Sequence, residues 1–240
     1  MVVKSQIKLI KSLHQKKYRI RYGMFVVEGI KAVTELLDSH FKVYKVYAAE
    51  VGELKGKTDF LEIITENEIK QMSSLKNPGK ILAVFYIAKP RPVDFKDWVV
   101  ALDDVRDPGN LGTIIRLCDW FGIRHLICSS NTVDCFNPKV LQATMGSISR
   151  VNILYTELSE FLSNSELPVY GAFMNGETVY NTTAPRRGVL VLGNEANGIS
   201  KEVEALVNVK ICIPQFGERT AESLNVATAS AILLSELRRR

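Results

Sequence analysis

The 240-residue chain contains no apolar run of about 18 residues, the length a helix needs to cross a bilayer. Its N-terminus, "MVVKSQIKLIKSLHQKKYRIRYG", lacks the continuous apolar centre of a signal peptide. No membrane association is expected, and the cytoplasm is the expected compartment. Cysteine is sparse: Cys118, Cys128, Cys135 and Cys212 are dispersed, as are His14, His40 and His125. None shows the paired spacing of a zinc site, so metal chemistry is not expected and the thiols read as reduced and buried. Glycine patterning is also thin. No Gly-Lys-Ser/Thr cradle occurs, and the turn "GNLG" offers only Gly109 and Gly112 where a dinucleotide fingerprint needs three glycines. That excludes the common nucleotide cradles and leaves a dinucleotide-dependent oxidoreductase without support.

Acidic residues are absent from the first 24 positions, which carry seven Lys or Arg. Residues 1–90 hold 16 of the 31 basic side chains against 9 acids, whereas the remaining 150 hold 15 against 17. The net charge of +5 is therefore concentrated in the first part. Such a block indicates either a polyanion partner or a solvated helix face. With 46% hydrophobic and 24% charged residues, the chain can bury a substantial core. Its length suits one large α/β domain or a small domain joined to a medium one.

The periodicity predicts a basic helix over Ser5–Arg21, with Ile7, Ile10 and Leu13 as its apolar stripe. "MFVVEG" reads as a strand, Ile30–Leu37 as a helix, "KVYKVYAA" as a half-buried strand, "ENEIKQMSSL" as a helix and "KILAVFYIA" as a buried strand. Next comes "KPRPVDFKD", where Pro90 and Pro92 enforce extended chain. The charge balance changes sign there, which places a domain boundary near Pro90. Beyond it, apolar runs at Val99–Leu102, Leu126–Cys128, Val169–Phe173, Val189–Leu192 and Val209–Ile213 alternate with helical segments. That alternation predicts a parallel sheet covered on both faces. Ligands then belong at the carboxyl ends of its strands.

Three strand ends carry polar chemistry. After Val99–Leu102 comes "DPGNLGTIIR", with Asn110 at a plausible helix N-cap. Arg116 projects opposite the apolar face of that helix, and Trp120 lies one turn further on. Alone, Arg116 reads as a solvated side chain on an amphipathic helix, although Trp120 is an odd occupant of a purely solvated face. After Val189–Leu192 comes "GNEANGIS", where Gly193 admits close backbone approach and Glu195 is either a site acid or a helix-start acid. After Val209–Ile213 comes "IPQFGERTAESLNVATASA", with a long helix from about Glu222 and with Ser223 and Asn225 in its first turn. There they cap amides or meet a ligand.

In this order, "NLGTIIR", "GNEANGIS" and "IP…ESLNVATA" resemble the three motifs of the SpoU (TrmH-like) RNA ribose 2′-O-methyltransferases, within the SPOUT superfamily. The resemblance covers about residues 98–240 and includes "LQATMGSISRV". The basic first part is similar to the ribosomal-protein-like RNA-binding domain that many such enzymes carry. The resemblance implies an α/β fold: a C-terminal SPOUT-type α/β domain with a trefoil knot (residues 91–240), preceded by a small α/β RNA substrate-binding domain (residues 1–90). It implies S-adenosyl-L-methionine as cofactor, contacted by Gly193, Ile213 and Leu224, and a homodimer formed through the C-terminal domain. It also implies an active site of Asn110, Arg116, Glu195, Ser223 and Asn225, in which the family's Arg has been assigned as general base. A guanidinium holds its proton too tightly to act readily as a base and suits another part better. Arg116 is expected to orient the nucleotide phosphate and assist proton removal, Asn110 and Glu195 to build the pocket, and Ser223 and Asn225 to order the cofactor loop or the ribose. The chain departs from the family pattern after Ile213-Pro214. Gln215 stands where Met is usual, the loop "FGERTAE" is longer, and its Arg219 either reaches RNA or is solvated. The implied substrate is structured RNA, ribosomal before transfer RNA. The alternatives are a transfer-RNA 2′-O-methyltransferase and a nonenzymatic RNA-binding protein that retains the fold.

Overall fold

The structure is a computed structural model and describes residues 3–50, 54, 59–217 and 223–239. Its elements begin with α1 (Lys4–Leu13), α2 (Lys16–Tyr22), β1 (Met24–Glu28), α3 (Ile30–Leu37), β2 (Val43–Ala48), β3 (Leu61–Ile63), α4 (Glu66–Met72) and β4 (Ile81–Tyr86). They continue with β5 (Val99–Leu102), α5 (Pro108–Trp120), β6 (His125–Cys128), α6 (Pro138–Thr144), a 3-10 turn at Ser147–Ser149, β7 (Asn152–Tyr155) and α7 (Leu158–Ser163). Last come β8 (Val169–Thr178), β9 (Val189–Leu192), α8 (Lys201–Glu204), β10 (Val209–Cys212) and α9 (Val226–Arg238). The chain forms two compact units, residues 1–89 with 134–149 and residues 90–133 with 150–240.

In the first unit the sheet order is β1-β4-β2-β3. β4 runs antiparallel to both neighbours, and β2 pairs with β3 in parallel. "ILAVF" is buried throughout, as a central strand covered on both faces must be. The basic N-terminal stretch is two helices rather than one. Gln15 is extended (φ −102°, ψ 133°), and His14 Nε2 lies 2.7 Å from the Met72 carbonyl, pinning the break. The break turns Arg19 inward. Its guanidinium donates to the Leu13 carbonyl at 2.9 Å and, through Nε, to Asp134 Oδ2 at 3.0 Å. Phe136 completes the ring cluster around Phe25. A charge pair 115 positions apart thus ties residues 134–149 into this unit, and no local sequence signal announces it. α4 starts as its sequence suggests, because Thr65 and Glu68 cap one another reciprocally.

The second unit is a six-stranded sheet, β10-β8-β9-β5-β6-β7, with every pair parallel. β5, β6 and β9 are buried at every residue, the pattern of strands covered on both faces. The chain steps outward from β5 through β6 to β7, then resumes on the other side of β5. The β5–β9 boundary is therefore a topological switch point, where the carboxyl ends leave a crevice. β8 has a further irregularity. Its pairing with β10 jumps from Lys210↔Gly171 to Ile211↔Glu177, so residues 172–176 are skipped in the ladder and form a bulge in β8.

Two contacts fix the ends of this unit. Arg238 on α9 grips Asp97 with two parallel bonds of 2.8 Å and donates to the Phe121 carbonyl at 2.8 Å. Burial on its own would raise the Asp97 pKa, but the Arg238 fork and the Trp98 amide hold it below the usual carboxylate value. At the other edge, the linker is clasped by Asn152, which exchanges two bonds with the Arg91 backbone. Nε2 of the buried His125 ring accepts the Asp94 amide at 3.1 Å, and its Nδ1 lies 3.1 Å from Asn152 Nδ2. Burial pushes the His125 pKa below its ordinary value, Arg91 and Arg124 add to that, and Asp94 opposes it. A folded-state pKa below the unfolded one means that the unfolded chain binds the extra proton. The contribution of His125 is then complete above about pH 6.5 and declines as pH falls through that unfolded value toward the folded one. Urea midpoints at pH 7.5 and 5.5 should fall further for the parent protein than for His125→Gln. Equal losses would contradict the assignment.

Candidate active site

Helix α5 begins with Asp107 rather than Asn110. The Asp107 carboxylate accepts the Asn110 amide at 2.8 Å, and Pro108 occupies the first helical position, where a missing N–H costs nothing. The cap expected at Asn110 is thus supplied three residues earlier. The Asn110 side chain is left free to turn toward the other strand ends. Its Nδ2 donates to Glu195 Oε1 at 2.8 Å, and its Oδ1 accepts from Asn225 Nδ2 at 2.9 Å. Asn225, in turn, is the N-cap of α9. Its Oδ1 accepts from the amides of Ala227 at 2.9 Å and Thr228 at 3.2 Å. The helix therefore starts after Asn225, and Ser223 precedes it as an exposed residue rather than lying in the first turn. Capping decides that boundary, since Asn225 satisfies two of the orphan amides.

Three residues drawn from the ends of β5, β9 and β10 are thus joined in one hydrogen-bonded chain, Glu195–Asn110–Asn225. Beside it lies a cavity of about 790 Å³ at the carboxyl ends of β9, β8 and β10. Leu192, Gly193, Ile213, Pro214, Leu224 and Leu233 give it an apolar lining, and Glu195, Ser223 and Asn225 stand at its polar side. Gly193 has no room for a side chain. A Cβ there would sit 2.2 Å from the Gly198 carbonyl carbon and 2.3 Å from the Ile199 nitrogen. The backbone of the 194–198 turn is packed directly on it, closed by the two bonds between Asn194 and Gly198.

Arg116 is placed differently. It lies on the exposed stripe of α5 with Gly109, Thr113 and Trp120, spaced i, i+4, i+7, i+11, and Trp120 is 84% exposed. It does not line the cavity, and among the described residues it makes no hydrogen bond or ion pair. Side chains on a helix tilt toward its N-terminus, so Arg116 leans toward the Asn110 end.

Several residues here were not singled out from the sequence. Asp104, directly after β5, adopts a left-handed conformation (φ 59°) that few non-glycine residues take. It is held by Ser129 Oγ on its amide at 2.8 Å and by Asn194 Nδ2 on its carbonyl at 2.7 Å. Its carboxylate accepts from Arg106 Nε at 2.8 Å. The Arg106 amide faces Glu195 Oε2 at 3.5 Å. Next to it, the buried Asp103 accepts the Ser200 amide at 2.7 Å and so ties α8 to the β5 end. A run of acids after a buried strand was the only available signal. Ala172, Phe173 and Met174 also line the cavity, because the bulge in β8 carries them there. Residues 218–222, with Arg219 and most of the longer loop, lie outside the described residues. Among the described residues no group of three or more His, Cys, Asp or Glu could hold a metal ion, and no helix is long and apolar enough to cross a membrane.

The profile of the SpoU rRNA Methylase family matches residues 97–235, which contain all of these strand ends. The chain belongs to the SpoU methylase family. Residues 4–83 match a second profile, that of the MRM3-like substrate binding domain. Over 97% of its length the chain is 29% identical to the 23S rRNA (guanosine(2553)-2′-O)-methyltransferase RlmP of Bacillus subtilis, covering 96% of that protein. A solved TrmH-family structure from Porphyromonas gingivalis is 37% identical, with a TM-score of 0.92 over 100% of this chain and 99% of the other. An AdoMet-bound rRNA methyltransferase from Sinorhizobium meliloti is 30% identical, with a TM-score of 0.88 over 100% and 96%. The SpoU match spans every strand of the six-stranded sheet and also residues 134–149, which pack in the first unit, and a substrate-binding domain precedes it.

The Glu195–Asn110–Asn225 chain gives a test that separates structure from chemistry. Asn225→Asp keeps the acceptor that caps α9 but has no N–H to give Asn110. Its melting temperature should match the parent's while turnover falls at least tenfold. Asn225→Ala should lose both, the cap being worth about 1 kcal/mol. Unchanged turnover in the Asp variant would show that the link to Asn110 has no role.

Proposed function

We propose that this chain transfers a methyl group from S-adenosyl-L-methionine to a ribose 2′-hydroxyl of ribosomal RNA. The observation that carries the proposal is the cavity walled by Gly193, set directly beside the polar chain Glu195–Asn110–Asn225 at the switch point of the sheet. The cavity fits the cofactor. Gly193 lets the 194–198 turn pack directly on the end of β9 and form the cavity wall, Ile213 and Leu224 supply an apolar sleeve, and its volume suits a molecule of that size. When bound, the cofactor supplies an electrophilic sulfonium methyl.

A ribose hydroxyl is a very weak acid, so the protein must align it, favour loss of its proton and exclude water. Asn110 is held on both sides, by Glu195 and Asn225. One N–H and one lone pair of its amide remain for the ribose. Arg116 holds the phosphate next to that ribose, and its fixed charge offsets negative charge developing on the attacking oxygen. Glu195 keeps Asn110 oriented, while Ser223 and Asn225 order the polar side of the cavity.

In this reading residues 1–90 bind the RNA and residues 91–240 carry out the transfer. Family membership further supports a trefoil knot in the second unit and a homodimer formed through it. An rRNA substrate supports a cytoplasmic location. Purified protein should bind radiolabelled S-adenosylmethionine and label ribosomal RNA from cells lacking the gene. Label confined to transfer RNA would replace the substrate and keep the reaction, whereas binding without transfer to any RNA would overturn the reaction itself.

A further inference from the structure

Helix α2 presents an outward face that the proposed chemistry does not use. Lys16, Lys17, Ile20, Arg21 and Tyr22 are exposed, Ile20 at 70% and Tyr22 at 39%. Tyr18 and Tyr22, one turn apart, hold their rings within 12° of parallel at 6.3 Å. The Lys17 ammonium sits 4.8 Å from the Tyr18 ring centre, and the Arg21 guanidinium 5.6 Å from that of Tyr22. Lys17 and Arg21 therefore form one row on the helix, and Tyr18 and Tyr22 a row beside it. The helix carrying them is anchored from behind by the buried Arg19, bonded to Leu13 and Asp134, and closed by Gly23 in the left-handed conformation. On α1, Lys4, Lys8 and Lys11 are exposed at spacing i, i+4, i+7 and extend the positive surface.

An i,i+4 tyrosine pair stabilises a helix slightly, but two rings each set against its own cation also make a surface on which a planar, anionic ligand can rest. Phosphate contacts alone would use the lysines and leave the rings idle. An unpaired base has a flat π-face that aromatic and guanidinium planes can stack on, whereas the bases of an A-form duplex are covered by their neighbours. We propose that this face of α2 is a stacking platform for an unpaired base of the RNA substrate, with Lys17 and Arg21 holding the flanking phosphates. The inference rests on the reading of the chain as an RNA methyltransferase and adds which RNA feature its first unit recognises.

The test uses the full chain without cofactor and a fluorescently labelled twelve-nucleotide RNA, single-stranded or paired in a duplex, read by anisotropy. Tyr18→Leu/Tyr22→Leu should weaken single-strand binding about tenfold and duplex binding less than twofold. Tyr18→Phe/Tyr22→Phe should bind as the parent does, since the rings stack without their hydroxyls. Lys17→Gln/Arg21→Gln should weaken both RNAs and flatten the salt dependence. Equal single-strand affinity in the Leu variant, with unchanged thermal unfolding, would overturn the proposal. So would equal losses on strand and duplex, or a loss confined to vesicles of phosphatidylserine, which would make the face a membrane surface. Calorimetric titration with S-adenosylmethionine is run on the same preparations and should be unchanged in every variant. Failure of the parent protein to bind it would overturn the methyl-transfer reading and leave the stacking result standing.

Discussion

Gly193→Ala abolishes S-adenosylmethionine binding, with the dissociation constant rising at least 100-fold. The added methyl would lie 2.2 Å from the Gly198 carbonyl carbon and 2.3 Å from the Ile199 nitrogen. Both are backbone atoms, so no rotamer change relieves the clash. The 194–198 turn must move, and with it Glu195 and the wall of the cavity. Overpacking of this kind costs about 1–3 kcal/mol of stability, which leaves the variant folded enough to measure. Gly79→Ala is the control, because its Cβ meets open space. Isothermal titration of both variants decides the matter. Parent-like affinity in Gly193→Ala would mean that the cofactor lies elsewhere.

Arg116→Lys lowers turnover by about two orders of magnitude or more while leaving cofactor affinity within twofold of the parent. The charge remains, but the planar fork that grips a phosphate at two points is lost. A misaligned ribose then costs rate directly, because alignment supplies a large share of the barrier reduction. Cofactor affinity is spared because Arg116 stands outside the cavity lining. Single-turnover transfer with saturating cofactor isolates the chemical step. If Arg116→Lys turns over at the parental rate, the geometric role is wrong, and loss of cofactor binding would place Arg116 in the cofactor site instead.

Much of the second unit could be read from the chain. Buried strands announce themselves as short unbroken apolar runs, and β5, β6 and β9 lie where those runs lie. The three polar segments following β5, β9 and β10 do meet, and Asn110, Glu195 and Asn225 are bonded to one another. What escaped depends on partners distant in sequence or on unusual backbone. The bulge at 172–176 exists because β8 changes register on β10, and neither strand signals that by itself. Asp104 is left-handed because Ser129 and Asn194 hold it there. Its sequence "LDDV" would suit an ordinary strand end. The edge strands β3 and β7 were not anticipated, being short and only partly buried. The break between α1 and α2 follows from burying Arg19 against Asp134, a long-range pair invisible to helical periodicity. Arg116 is the reverse case. The sequence motif singles it out, yet among the described residues it makes no hydrogen bond or ion pair.

The most direct test of the account maps 2′-O-methyl groups in total RNA from cells with and without the gene, complemented by the parent protein or by Arg116→Lys. One or a few ribosomal RNA positions should resist alkaline cleavage only when the parent protein is present, with the variant failing to restore them. Identical methylation maps in all strains, or a gene-dependent methyl group on a base rather than a ribose, would contradict it.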